Sequence, residues 1–446
     1  MLSLVAAATM DFASISLKGP STLKFIPEML SCVLAMMVLL RAIRGGIATI
    51  AAKYWIVFAF LAFIIICGIF SNGVGSGPIL AGMRYYLRAI PLFFVPAVAR
   101  FSEKSTKRQL LLMLGIALLQ VPVAIYQRWI ILDAGRFSGD DVRGTVMDSG
   151  ILSIFLICTV CVLTGFMMRK RLGKLPYFIL FFVLLFPTTI NETKATAVLL
   201  PLGLMATIIT AAPRGKRLPI FLGGTAMLGL FAALMIPIYA LMNANSPYKN
   251  DKSIVDFFTD EQQFNQYLQG KKDASLGTTT TVSRGQALKV SIGYLARDPV
   301  HLAMGLGMGN ASHSNIGEQF TGLYYDVLGH FSIMSFLTFM LEIGVLGTSA
   351  VFLLYWMIFS DALAVAKADT GLVGAIAAGW IGIVAVIAVS NFYSVLHTFT
   401  SVSFFFWYFS GVIAARRGEL SLAQRQVAPT MSAPARVVPK SQRVHG

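Results

Sequence analysis

The feature that most constrains this chain is an apolar stretch, near twenty residues long, that returns along almost its whole length. A helix of about 20 apolar residues spans the roughly 30 Å hydrocarbon core of a bilayer. Such stretches fall near residues 2–17, 24–41, 54–71, 79–99, 109–127, 148–167, 175–190, 194–212, 218–242, 331–358, 371–392 and 396–415. In lipid every backbone N–H and C=O must be satisfied within the protein, so segments of this kind form helices. The expected fold is an all-α, polytopic transmembrane bundle of about twelve spans, with one long extracytoplasmic loop carrying an amphipathic helix. Composition agrees: 56 % of the 446 residues are hydrophobic, only 13 % are charged, and the mean hydropathy is +0.73. The chain divides into N-terminal spans (1–242), a large outer loop (243–330), C-terminal spans (331–415) and a basic tail (416–446) expected to be disordered on the cytoplasmic surface. The first residues lack a basic start and a small-residue cleavage site, so Leu2 to Leu17 reads as a short first span rather than a signal peptide.

A formal charge of +16 raises the question of nucleic acid, and the placement of the cations answers it. They sit in short loops between spans: "RFSEKSTKR", "MRKRLGK", "APRGKR", "ARRGEL", and Arg41, Arg44 and Lys53. That distribution sets orientation, and no nucleic-acid partner is expected. The basic side is then the cytoplasm, with both termini on it. The opposite side receives "SNGVGSG", "GRFSGDDVRGTVMDSG", the "NETK" turn and the segment from Asn243 to Gly329. The four cysteines, Cys32, Cys67, Cys158 and Cys161, lie in apolar spans and read as buried small side chains rather than a disulfide or metal set.

The long outer segment changes character midway, from "SPYKNDKSIVDFFTDEQQFNQYLQGKKDASLGTTTT" to "TVSRGQALKVSIGYLARDP". In the second part Ala287, Leu288, Ile292 and Leu295 recur at helical spacing, Ser283 is placed to cap, and Pro299 ends the pattern. The "GLGMGN" that follows cannot remain regular helix and implies backbone packed closely against a neighbour; with no basic ending it is not a phosphate loop.

Arg84 and Arg88, in "MRYYLRAI", are four apart and share a helix face in the outer half of the fourth span. A charge at that depth costs several kcal/mol unless it snorkels to the headgroups, meets a partner or lines a wet cavity. Tyr85 and Tyr86 suit either an interface or a site. Further polar candidates reach the same side from distant segments: Arg143, Glu192, Lys194, Arg284, His313 and His330. Taken singly each reads equally well as an ordinary loop residue, and Glu192 as a local pair with Lys194. Taken together they predict one outward-facing cavity. Cations gathered at the outer boundary of a bilayer imply a polyanionic, lipid-embedded ligand, for which a lipid-linked diphosphate fits. Arginine offers paired donors to phosphate oxygens and stays protonated in low dielectric, and such a cluster stabilises charge on a departing diphosphate. "GDDVRG", with Asp140 and Asp141, is the nearest approach to a metal-binding string, and neither metal nor cofactor is expected.

The order of these features resembles the O-antigen ligase and polymerase superfamily, bacterial polytopic proteins acting on undecaprenyl-diphosphate glycans. The likeness covers most of the chain. "GMRYYLRAIPLFFVPAVA", "RGTVMDSGILSIFL" and "NETKATAVLLPLGL" resemble three of its membrane stretches. "SRGQALKVSIGYLARDPVHLAMGLGMGN" followed by "GHFSIMSFLTFMLEIGVLGT" resembles its succession of loop Arg, Gly-rich turn, His and Glu-x-Gly-x-x-Gly, ending here on Glu342, Gly344 and Gly347. The ligase pattern has a His eleven residues before the first of those glycines; here that position is Ile333, and His330 stands three residues earlier. This departure moves the reading toward the polymerase branch. The resemblance implies an inverting, metal-independent glycosyltransferase of the bacterial inner membrane with its active site facing the periplasm. It would transfer an undecaprenyl-diphosphate-linked oligosaccharide to another lipid-linked repeat unit, with membrane lipids and the chain-length regulator and flippase of the same pathway as partners. Arg84, Arg88 and Arg284 would hold the diphosphate; His330 or Glu192 would take the acceptor proton. Transfer to lipid A core, as in a ligase, is the alternative within this chemistry, and a glycolipid flippase or transporter the alternative outside it.

Overall fold

The computed structural model describes residues 1–45, 47, 49–131, 139–191, 193–212, 215, 217–244, 283–314 and 317–427. Among these the chain is helical, without strands. The helices are α1 Leu2–Ile15, α2 Ile26–Gly45, α3 Ala52–Ser71, α4 Ser76–Leu87, α5 Ile90–Ala99, α6 Glu103–Tyr126, α7 Ser149–Met168, α8 Lys174–Ile190, α9 Thr196–Ala211, α10 Arg217–Ala244, α11 Arg284–Leu295, α12 Pro299–Met304, α13 Tyr325–Leu328, α14 Ser335–Ala368, α15 Leu372–Ser390 and α16 Thr400–Val427. Seven helices among the described residues are long and apolar enough to cross a membrane, beginning at Ser21, Ala52, Glu103, Ser149, Leu218, Ser335 and Leu372. Four more apolar helices are shorter: α1, α5, α8 and α9.

The bundle is built around α7 and α15, which are buried along most of their length. Small residues allow this. Gly165 of α7 lies so close to the backbone of α15 at Gly379 that a Cβ there would stand 2.5 Å from the Gly379 nitrogen. Close backbone approach through small residues is how apolar helices gain contact when no water is there to drive them together. The helices α9, α14 and α16 pack around this pair, and the Trp380 indole of α15 donates to Ser410 Oγ of α16 at 2.9 Å.

Four expectations change. The span expected over 79–99 is two helices, broken at Arg88 and Ala89. Pro91 has no N–H to give to the preceding turn, and in the first turn of a new helix that loss costs nothing. The segment over 331–358 starts only at Ser335, runs on to Ala368, and is itself interrupted at Gly344. The cysteines are all free, but Cys32 is exposed on the bundle surface and Cys67 half-buried; only Cys158 and Cys161 are buried. The basic tail begins as helix, with α16 running to Val427.

α12 opens on Pro299, and before it α11 forms as expected, with Ser283 Oγ accepting from Gln286 N at 3.2 Å. Its buried face is Ala287, Ser291 and Leu295, while Leu288 and Ile292 are exposed. The low-complexity run over 245–282 lies outside the described residues.

Candidate functional site

Arg84 lies in the last turn of α4 and Arg88 caps it, where the helix dipole favours cations. Both turn to one carboxylate. Arg84 Nε donates to Glu28 Oε1 at 2.5 Å and Arg88 Nη1 to the same oxygen at 3.0 Å. Glu28 comes from the first turn of α2, and Asp11 of α1 and Lys24 are within electrostatic reach of the group. The side chains of Arg84 and Arg88 are only 14 % and 5 % exposed, and Arg84 Nη1 and Arg88 Nε are buried without a hydrogen-bond partner. Three cations stand against two carboxylates. The group therefore keeps positive charge and unused donors, the two properties an anionic ligand requires.

The other end of the Arg88 guanidinium ties this group to the connection between α15 and α16. Its Nη2 donates to the carbonyl oxygens of His397 and Thr398. The His397 ring lies against Phe339, Tyr86 and Tyr85, with centroids 4.9, 5.6 and 6.4 Å away. Its Nδ1 is 2.9 Å from Ser335 Oγ, and that oxygen also accepts the His397 backbone N–H at 3.3 Å. Beside it lies a cleft whose polar lining residues are Tyr85, Tyr86, Tyr355, His397 and Ser403 and whose remaining lining is apolar, with Phe58, Phe339 and Trp407 among it.

Arg284 reaches the same connection: Nη2 donates to the Tyr393 carbonyl at 3.1 Å and its guanidinium lies 4.9 Å from the centre of the Tyr393 ring. Arg143 and Lys194 form a separate group. Arg143 pairs with Asp141 at 3.1 Å, and Lys194 lies within electrostatic reach of Asp140. The loop bearing Arg143 is fixed from α6, where Gln127 Oε1 accepts the N–H groups of Arg143 and Gly144 at 3.0 and 2.8 Å. His313 and His330 flank Tyr325, with ring centroids 5.1 and 5.9 Å from it, and both are exposed. Glu192 lies outside the described residues. The predicted single cavity thus resolves into three neighbouring groups. Of the residues the sequence singled out, Tyr85 and Tyr86 line the cleft, and among the described residues none of the predicted cations or histidines does. Charges that find a nearby partner in the protein, as Arg143 finds Asp141, have no electrostatic reason to gather further.

The Gly-rich turn is where sequence and structure meet most closely. Gly344 takes φ +64°, which interrupts α14, and the carbonyls of Leu341 and Glu342 at the break accept Leu306 N at 2.7 Å and Gly307 N at 3.1 Å instead. Glu342, 1 % exposed, turns its carboxylate onto the far side of the same turn, accepting from Ala311 N at 3.3 Å. Gly309 N–H and the Ser312 hydroxyl also donate to it, and the Tyr86 hydroxyl faces it. Glu342 therefore serves the turn and not His330.

The sequence reading missed Glu28, Asp11, Ser335, Tyr393 and His397. Glu28 carried a signal, an acidic residue at the start of an apolar span. His397 and Ser335, 62 residues apart, carried none. Among the described residues no three His, Cys, Asp or Glu side chains gather into a metal-binding set. No family model matches the chain, and neither does any curated protein.

Proposed function

We propose that the chain is a membrane-embedded glycosyltransferase of the O-antigen ligase and polymerase type. It extends a lipid-linked polysaccharide by passing an undecaprenyl-diphosphate-linked glycan to another lipid-linked repeat unit on the outer face of the bacterial inner membrane, with inversion and without a metal. The observation that carries this reading is the pairing of a buried, incompletely satisfied Arg84–Arg88 group with a largely apolar cleft lined by Tyr85 and Tyr86 of the same segment. A charged head beside an apolar channel is the shape of a prenyl diphosphate. In this reading Arg84 and Arg88 neutralise the diphosphate as the glycosyl bond breaks, with Glu28 holding the two guanidiniums together until the ligand arrives. Arg284, bonded to the same connection as Arg88, joins them on the diphosphate; Arg143, Lys194 and His313 bind the glycan-bearing side of the substrates, and His330 and Glu192 are the proton acceptors that the resemblance offers. The twelve-span topology with both termini in the cytoplasm belongs to the same proposal.

The test is to supply the purified protein, in lipid nanodiscs, with lipid-linked repeat units alone. Longer products are expected, and replacing Arg84, Arg88 or Arg284 by Ala should abolish them, with Lys restoring only part. Full extension by all three Ala variants ends the proposal. Product formed only when lipid A core is added assigns the ligase reaction. The breaks at Arg88 and Gly344 favour one reading of another class, since transporters bind cargo at interrupted helices. Movement of intact lipid-linked substrate between leaflets, with no new glycosidic bond, would establish it.

A further inference from the structure

We propose that His397 accepts the proton of the attacking hydroxyl, with Ser335 as the residue that positions its ring; this rests on the transfer reading above. Among the described residues lining the cleft, His397 alone carries a basic nitrogen, and none carries a carboxylate. His330 is exposed against Tyr325 and lies outside the cleft lining.

The ring is held on three sides. Phe339, Tyr86 and Tyr85 pack around it, Nδ1 meets Ser335 Oγ at 2.9 Å, and Arg88 fixes the main chain on either side of the Thr398 peptide. Ser335 is fixed in turn, its own N–H donating to the Ser394 carbonyl at 3.0 Å. Among the described residues the hydrogen bond of the imidazole is made at Nδ1. With the proton on Nδ1 and donated to Ser335 Oγ, Nε2 is the nitrogen left to take a proton from a molecule bound in the cleft that His397 lines. A base fixed in tautomer and orientation by a hydroxyl partner is the arrangement proton transfer requires.

Arg88 joins the two halves of the reaction. The guanidinium that carries the His397 and Thr398 carbonyls also belongs to the group assigned to the diphosphate, so base and leaving-group site are held in one register. The step balances as follows. The acceptor O–H bond breaks and its proton passes to His397 Nε2. The acceptor oxygen forms a bond to the anomeric carbon, whose bond to the diphosphate oxygen breaks with the electron pair leaving on that oxygen. The proton then passes from the imidazole to solvent or to the released diphosphate.

The experiment uses the full chain in nanodiscs with lipid-linked repeat units, measuring chain extension and donor binding separately. His397→Asn should lower extension on the order of 10²- to 10⁴-fold, far more than it weakens donor binding. Free imidazole should restore part of the extension in His397→Gly, a rescue that a merely structural role would not produce. Ser335→Ala should lose less and should not respond to imidazole. Extension within threefold of wild type in His397→Asn overturns the proposal and leaves the transfer reading standing. A wild-type protein that forms no glycosidic bond with any acceptor overturns the transfer reading, and the role of His397 with it. Should the variants fail to fold, diethyl pyrocarbonate on the wild type decides. Extension should be lost at the rate at which His397 is modified, as followed by mass spectrometry, and donor should protect; a modified His397 with full extension overturns the proposal.

Discussion

Arg88 shows how one residue can be stabilised and kept ready. Its guanidinium is paired with Glu28, bonded to two carbonyls and 5 % exposed, yet its Nε is buried without a partner. Removing one member of a buried ion pair is expensive because the other charge stays behind. Glu28→Gln would leave Arg84 and Arg88 facing each other, and we expect a loss of about 2–3 kcal/mol, less than for a fully buried pair because some water reaches the group. Thermal unfolding in nanodiscs checks this, and a variant as stable as wild type would show that the pair is not held by Glu28. Anionic lipid should restore part of the lost stability if the vacated side binds phosphate. The arginines were legible in the sequence because a cation in an apolar span is conspicuous; their partners were not, since Glu28 lies 56 positions from Arg84 and nothing local announces the contact.

At the scale of elements, two helices are interrupted and each interruption has a local chemical cause. Pro91 starts α5 afresh, and Gly344 takes a left-handed φ that L side chains rarely adopt. At Gly344 a Cβ would also stand 2.4 Å from the Ala303 carbonyl oxygen. Gly344→Ala should therefore cost at least about 1–3 kcal/mol from backbone strain alone, with the clash added. The expected result is reduced folded yield and a lower unfolding temperature, while Gly115→Ala, in open space on α6, should change little. Equal stability of the two variants would contradict the packing of the Gly-rich turn into the break. Glu342→Gln should weaken the same joint, because an amide replaces one of the oxygens that accept from Ala311, Gly309 and Ser312; proteolysis between α12 and α14 should quicken. The glycines were readable as a non-helical stretch. What they pack against was not, because the partner backbone comes from a later helix.

For the whole molecule, the distribution of charge predicts a sidedness that can be measured. In a background with the four native cysteines replaced by Ala, Asp140→Cys should react with a membrane-impermeant maleimide in intact cells. Lys104→Cys should react only after permeabilisation. The reverse pattern would turn the molecule over and put the Arg84–Arg88 group on the cytoplasmic side. Ion pairs fasten the opposite end as well: Lys53 and Tyr54 of α3 both bind Asp361 of α14, at 2.6 and 2.9 Å, and Arg416 of α16 binds Asp369 at 2.7 Å. Lys53 and Arg416, which sequence assigns to orientation, also hold helices together, a second use that depends on tertiary contact.

The sequence by itself determined that this chain is a bundle of apolar helices, where most of them lie, which apolar segment carries the exceptional arginines, and where helix must give way at glycine. These follow from hydropathy, periodicity and backbone sterics, which act within a few turns. Only the tertiary structure decided that the arginines share Glu28, that the outer cations divide into separate groups, and that His397 meets Ser335 beside the cleft. Those facts rest on contacts between segments dozens to hundreds of residues apart, and a side chain carries no local mark of the partner that the fold will bring to it.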